Sequence, residues 1–144
     1  MAIHRAGMSD DAHNEKNDSA ASWIRETLNR AVREITNQGV FDGEFVEARP
    51  VWSLPERVLI GQIRETDEQA AFQWIICGDF PTDHIASTVA STPREALRHF
   101  SLKWQLDAGD SQALDEHAEN LVARAEQLYE MVADDSLWQE PGGG

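Results

Sequence analysis

A thiol, two carboxylates, a hydroxyl and an imidazole crowd one short stretch, at Cys77, Asp79, Thr82, Asp83 and His84. Two chemistries fit these residue types. Oxygens from Asp79 and Asp83 with the imidazole of His84 form a donor set for a divalent cation, and Pro81 stiffens the loop that carries them. On that reading the chain is a small metal-dependent hydrolase. The competing reading is structural: Asp79 follows Gly78 and bonds a turn, and Asp83 caps a short helical turn starting near His84. The spacing matches no well-defined metal motif, so turn and cap are preferred and no metal is assigned. Cys77 as a nucleophile would need a base, with His84 near in sequence and His99 or His117 as partners in space. It ends an apolar strand, has no glycine-rich elbow around it and no adjacent cation. It is expected to be a small buried filler with an inert thiol.

Other enzyme signatures are missing from the sequence. It has no phosphate-cradling glycine loop, no HExxH and no dinucleotide fingerprint. Glu95 and His99 stand four apart on a helix, but Glu95 is accounted for by a helix cap. No catalytic residue and no cofactor is therefore assigned.

The net charge of −14 narrows the partners. Such a surface repels phosphate backbones and anionic lipid, so nucleic acid and membrane are disfavoured and a basic protein is the expected partner. Between Asp107 and Glu140 ten acidic residues face one basic residue, Arg124. Glu130, Asp134 and Asp135 are the candidate contact residues there; the alternative is that the helix ends earlier and these residues solvate a loop. Trp52, held between Pro50 and Pro55, is a candidate groove rim, or else packs a bent strand onto the sheet. One cysteine allows no internal disulfide. No apolar run reaches the roughly 18 residues of a membrane span, and the N-terminus has no apolar signal core. The expected location is the cytoplasm, as a monomer or as a homodimer burying a helix seam.

These residues have to be positioned by one domain, because 144 residues is an ordinary single-domain length. Residues 1–17 read as a disordered segment, 18–138 as the domain and 139–144 as a flexible tail. A first helix is expected over about 19–37, capped by Asp18 or Ser19 and stopped by Gly39. Pro50 marks an edge strand or a bend. Residues 57–64 and 70–77 form a hairpin around Thr66-Asp67-Glu68-Gln69. Thr92-Pro93-Arg94-Glu95 is a capping box that opens a second helix bearing Leu97, Phe100 and Trp104. Leu114, Ala118, Leu121, Ala125, Leu128 and Val132 alternate at spacings of four and three along a third helix. The expected fold is α+β: an antiparallel sheet of three to four strands with helices packed on one face.

The segment Trp74-x-Ile76-x-Gly78-Asp79-x-Pro81-Thr82-Asp83, then Thr92-Pro93-Arg94-Glu95-Ala96 and His99-Phe100-Ser101-x-Lys103-Trp104, resembles a bacterial family of small proteins catalogued only as a domain of unknown function. The resemblance spans about residues 19–138. It implies a small α+β protein and brings no catalytic residues. The functional expectation is a non-enzymatic, cytoplasmic protein-interaction or accessory protein. The alternative is the metal-dependent hydrolase built on Asp79, Asp83 and His84.

Overall fold

A four-stranded antiparallel meander, in the order β1-β2-β3-β4, forms the middle layer of the molecule. In this computed structural model the described residues are 8–39, 41, 46–66, 70–110 and 116–138, with side chains from Asp18 onward except that of Asp110. The strands are β1 (Val46–Leu54), β2 (Val58–Glu65), β3 (Gln73–Gly78) and β4 (Asp83–Ile85). The helices are α1 (Met8–Asn37), α2 (Pro93–Asp110) and α3 (Glu116–Ala133), with short 3-10 turns at Ser87–Val89 and Asp135–Trp138.

The α+β class and the antiparallel sheet stand, but the helices lie on both faces rather than one. The reason is the strand pattern itself. β2 and β3 are apolar at consecutive positions, and neighbouring residues on a strand point to opposite faces. Val58, Ile60, Trp74 and Ile76 pack with Leu97, Phe100, Trp104, Ala125 and Leu128 of α2 and α3. Leu59, Ile63, Ile75 and Cys77 pack on the other side with Leu28, Ala31 and Ile35 of α1. The face that reads as mixed in sequence, Gln73-Ile75-Cys77, is the one α1 covers.

α1 begins at Met8, well before the cap expected at Asp18 or Ser19. No proline or glycine stands between Met8 and Asn37 to break it. It stops as expected: Gly39 has φ +77°, the left-handed conformation glycine adopts most cheaply. β1 is the edge strand foreseen from Pro50, and its pairing with β2 slips between Pro50 and Trp52. The bend brings the Arg49 carbonyl so near Gly61 that a Cβ there would sit 2.7 Å from it. The capping box forms with one shift: the Glu95 N–H donates to Thr92 Oγ1 at 3.1 Å, while the Glu95 carboxylate takes the N–H of Ser91 at 2.7 Å. On α3 the buried seam is Ala118, Ala125, Leu128 and Met131, with Leu121 and Val132 half-buried beside it. Its small residues let α2 approach, and Ser101 Oγ donates to the Ala125 carbonyl at 2.7 Å across the contact. Residues 1–7, the hairpin tip at 67–69, Leu114 and the tail at 139–144 lie outside the described residues.

Candidate functional site

The loop after β3 leaves the sheet at Gly78, whose φ is +109°. A side chain at Gly78 would place its Cβ 2.8 Å from the Arg57 carbonyl, and the Asp79 N–H donates to that same carbonyl at 2.8 Å. Glycine is thus required both by backbone conformation and by close approach. The sharp exit separates the groups that sequence places together.

Asp83 goes to α2. Lys103 Nζ lies 2.7 Å from both of its carboxylate oxygens, and Trp104 Nε1 donates to Oδ2 at 2.9 Å. The expected cap at Asp83 is therefore corrected: the residue opens strand β4, and its carboxylate ties that strand to α2. No helical turn starts at His84, because residues 83–85 pair with 74–76. His84 faces the opposite side of the sheet from Asp83, and its Nδ1 lies 2.9 Å from Gln73 Oε1. Asp79 goes to α3, where Arg124 Nη1 lies 3.6 Å from Oδ2. Asp79, Asp83 and His84 each have a different neighbour. Among the described residues no group of three or more His, Cys, Asp or Glu is arranged to hold a metal ion. The geometry gives the hydrolase reading no convergent donor set.

Cys77 lies under α1, and its Sγ is 3.9 Å from the Leu59 carbonyl. Its thiol is pushed from an ordinary 9.0 to about 12, by burial first, with Arg30 opposing and Glu34 adding. A thiol this protonated is a poor nucleophile.

Trp52 packs against the end of the chain. Its ring stacks on Trp138 with centroids 4.2 Å apart. Trp138 Nε1 donates to the Met131 carbonyl at 2.9 Å, which folds the chain back after α3. The acids that follow the helix are also engaged. Asp134 Oδ1 accepts from the Ser136 N–H and Oγ, and Asp135 pairs with Arg94 at 2.6 Å. Arg94 donates as well to the Val132 carbonyl through Nε and Nη2, at 2.9 and 2.7 Å. The C-terminus of α3, which has no basic residue in its last turn, thereby receives its cation from the start of α2. Arg94 thereby also offsets the negative charge that Asp134 and Asp135 bring to the negative end of the helix dipole.

Two concave surfaces border α3. One is a cleft of about 410 Å³ where the Gly78–Pro81 loop meets α3, lined by Asp79, Phe80, His117, Asn120, Leu121 and Arg124. His117, Asn120 and Arg124 were not grouped from sequence, although their spacing of three and four puts them on one helix face. The other is a mostly apolar recess of about 390 Å³ between α2 and α3, lined by Gln105, Ala108, Gly109, Ala118, Glu119 and Val122. On the same two helices Leu102, Leu106, Val122 and Tyr129 are exposed.

An antiparallel meander held between one helix and a pair of packed helices defines a small α+β protein with two concave surfaces along α3. The chain belongs to the family described as a domain of unknown function, DUF4826, which matches residues 17–138. No curated protein and no solved structure matches it.

Proposed function

We propose that this is a non-enzymatic protein-interaction or accessory protein of the cytoplasm, and that the outer face of α2 and α3 docks a basic, apolar-bearing segment of another protein. The observation that carries this reading is the apolar recess between the two helices. It has Val122 in its lining and Glu119 on its wall, with Leu102, Leu106 and Tyr129 exposed on the same helices. α3 carries Glu116, Glu119, Glu126 and Glu130 against Arg124 alone. An apolar surface set among carboxylates favours lysine or arginine flanking apolar anchors. The same charge works against a second copy of this chain at that face. The sequence candidates Asp134, Asp135 and Trp52 are engaged within the chain, so contact shifts toward Glu119, Glu126 and Glu130. No helix of the described residues is long and apolar enough to cross a membrane.

Site-specific photo-crosslinking in the source cell tests the reading. A probe at Val122 or Leu106 should capture a discrete protein with a basic surface, and Val122→Glu should abolish the adduct. Capture should weaken as salt shortens the screening length from ~10 Å at 0.1 M to ~3 Å at 1 M. A probe at Asn29, exposed on α1 across the sheet, should not capture it. Equal capture from both positions, or none from the recess, would refute the assignment.

A further inference from the structure

The cleft between the Gly78–Pro81 loop and α3 holds groups of opposite charge that face each other without saturating each other. Arg124 is its centre. The guanidinium carbon stands 5.2 Å from the centre of the Phe80 ring, within cation–π range. Its Nη1 reaches Gln127 Oε1 at 3.2 Å and lies 3.6 Å from Asp79 Oδ2, beyond a good hydrogen bond. A guanidinium has five N–H donors, so most of this fork has no partner among the described residues. The Asp79 side chain is 71% exposed and has Arg124 as its ionic partner. Asn120 adds a carboxamide to the same wall, and Phe80 and Leu121 supply apolar surface. The volume, about 410 Å³, falls within the roughly 300–1,000 Å³ of small-molecule sites.

We propose that this cleft binds a small zwitterion, a free amino acid with an apolar side chain, whose carboxylate takes the Arg124 fork and whose ammonium takes Asp79. Charge makes the selection. A dianion such as phosphate meets Asp79 and the field of a chain with net charge −14. A simple cation meets Arg124. A zwitterion satisfies both groups and adds no net charge. Bidentate contact with a carboxylate uses the planar fork as arginine uses it best. The apolar side chain of the ligand lies against Phe80 and Leu121. This site is separate from the α2/α3 recess, and the two assignments stand or fall independently.

The test is an NMR titration of the full chain with the common free amino acids, then with N-acetyl-leucine, leucine amide and inorganic phosphate. Saturable shifts at Asp79, Phe80, the Asn120 carboxamide and Arg124 Nε are expected with apolar amino acids such as leucine. N-acetyl-leucine lacks the ammonium and leucine amide lacks the carboxylate, and each should bind at least about tenfold more weakly, a difference of about 1.4 kcal/mol. Arg124→Gln and Asp79→Asn should each weaken leucine binding by a similar factor, with the melting temperature close to wild type because both side chains are at the surface. If no amino acid gives saturable shifts at the cleft, the assignment is wrong. It is equally wrong if phosphate or N-acetyl-leucine binds as well as leucine, or if the two variants bind leucine unchanged.

Discussion

The two faces of the sheet are held by different physics. Beneath α1, Leu28, Ala31 and Ile35 meet Leu59, Ile63, Ile75 and Cys77, and shape and apolar area do the work. Beneath α2 and α3 the contact is aromatic and also directed. Trp74 Nε1 donates to the Ala90 carbonyl, Trp104 Nε1 and Lys103 to Asp83, and Ser101 to Ala125. Apolar burial is non-directional, whereas a buried donor left without a partner is costly. The α1 layer can therefore tolerate small shifts of its helix. The α2/α3 layer is fixed in register, and it is the layer that builds both concave surfaces.

Truncation in the two layers gives the largest effects. Phe100→Ala should cost about 3–5 kcal/mol and Ile35→Ala about 2–5 kcal/mol, measured by denaturant unfolding. Both side chains are fully buried. The layers should differ in how the damage spreads. Ile35→Ala should speed amide exchange in α1 while leaving α2 and α3 protected, because α1 meets the sheet through apolar contacts of Leu28, Ala31 and Ile35. Uniform loss of protection in both layers would show that the two faces form one cooperative unit and would break the comparison.

Asp83 comes next. Asp83→Ala strands Trp104 Nε1, which is buried, and Lys103, which is partly exposed and can turn to water. The expected cost is about 1–3 kcal/mol, most of it from the indole. Asp83→Asn keeps one oxygen for the indole but loses the charge that Lys103 meets, so it should fall between wild type and alanine. A helix-cap role predicts that asparagine is almost harmless. A melting temperature for Asp83→Asn equal to wild type would therefore restore the cap reading against the geometry.

The same residue shows where the sequence was legible. The stop of α1 at Gly39, the Pro50 edge strand, the 57–77 hairpin and the capping box are set by neighbours in the chain, and each could be read from local residue types; the start of α1 could not. Asp83 could not, because its partners Lys103 and Trp104 stand a full helix away in sequence. Arg94 is similar: read as the third residue of a capping box, it also caps the far end of α3. The helix on each face was half visible. Consecutive apolar residues in Val58–Ile60 and Trp74–Cys77 already imply burial on both sides, but Gln73 and Cys77 made one face look mixed. The candidate site divided in the same way. The glycine that ends β3 was evident, whereas the turn it makes sends Asp79 to α3 and Asp83 to α2. Grouping Asp79 with His117, Asn120 and Arg124 depends on that packing, and only the lone base in the acidic third hinted at it.

Cys77 tests the apolar layer by pH. In the unfolded chain its thiol ionises near 9.0, and in the fold only near 12, chiefly because burial disfavours the thiolate. The folded value is raised, so its contribution to stability is complete below the unfolded value. It is lost as pH climbs from 9.0 toward 12, at up to about 1.4 kcal/mol per pH unit. Unfolding free energies of wild type and Cys77→Ala should differ by a constant below pH 9 and converge above it. Parallel curves would mean that water reaches the thiol and that the α1 layer opens readily. Labelling by a thiol reagent at neutral pH should be slow until denaturant is added.

The smallest effect concerns the hairpin that both layers share. Pro55 and Glu56 turn the chain between β1 and β2, with the Arg57 N–H donating to the Leu54 carbonyl at 2.9 Å. Glu56 has φ 68°, the third-position geometry of a type II turn, where glycine is favoured. Holding a side chain there costs about 1–2 kcal/mol. Glycine removes that strain but loses roughly 0.5–1 kcal/mol by freeing the unfolded chain. Glu56→Gly should therefore stabilise by up to about 1 kcal/mol, whereas Glu56→Val, branched at Cβ, should destabilise. Because β2 lies in the core on both faces, this gain should raise amide protection under α1 and under α2 alike. Protection that rises under α2 alone would mean that α1 detaches before the sheet unfolds, which is the sharper form of the difference between the two layers.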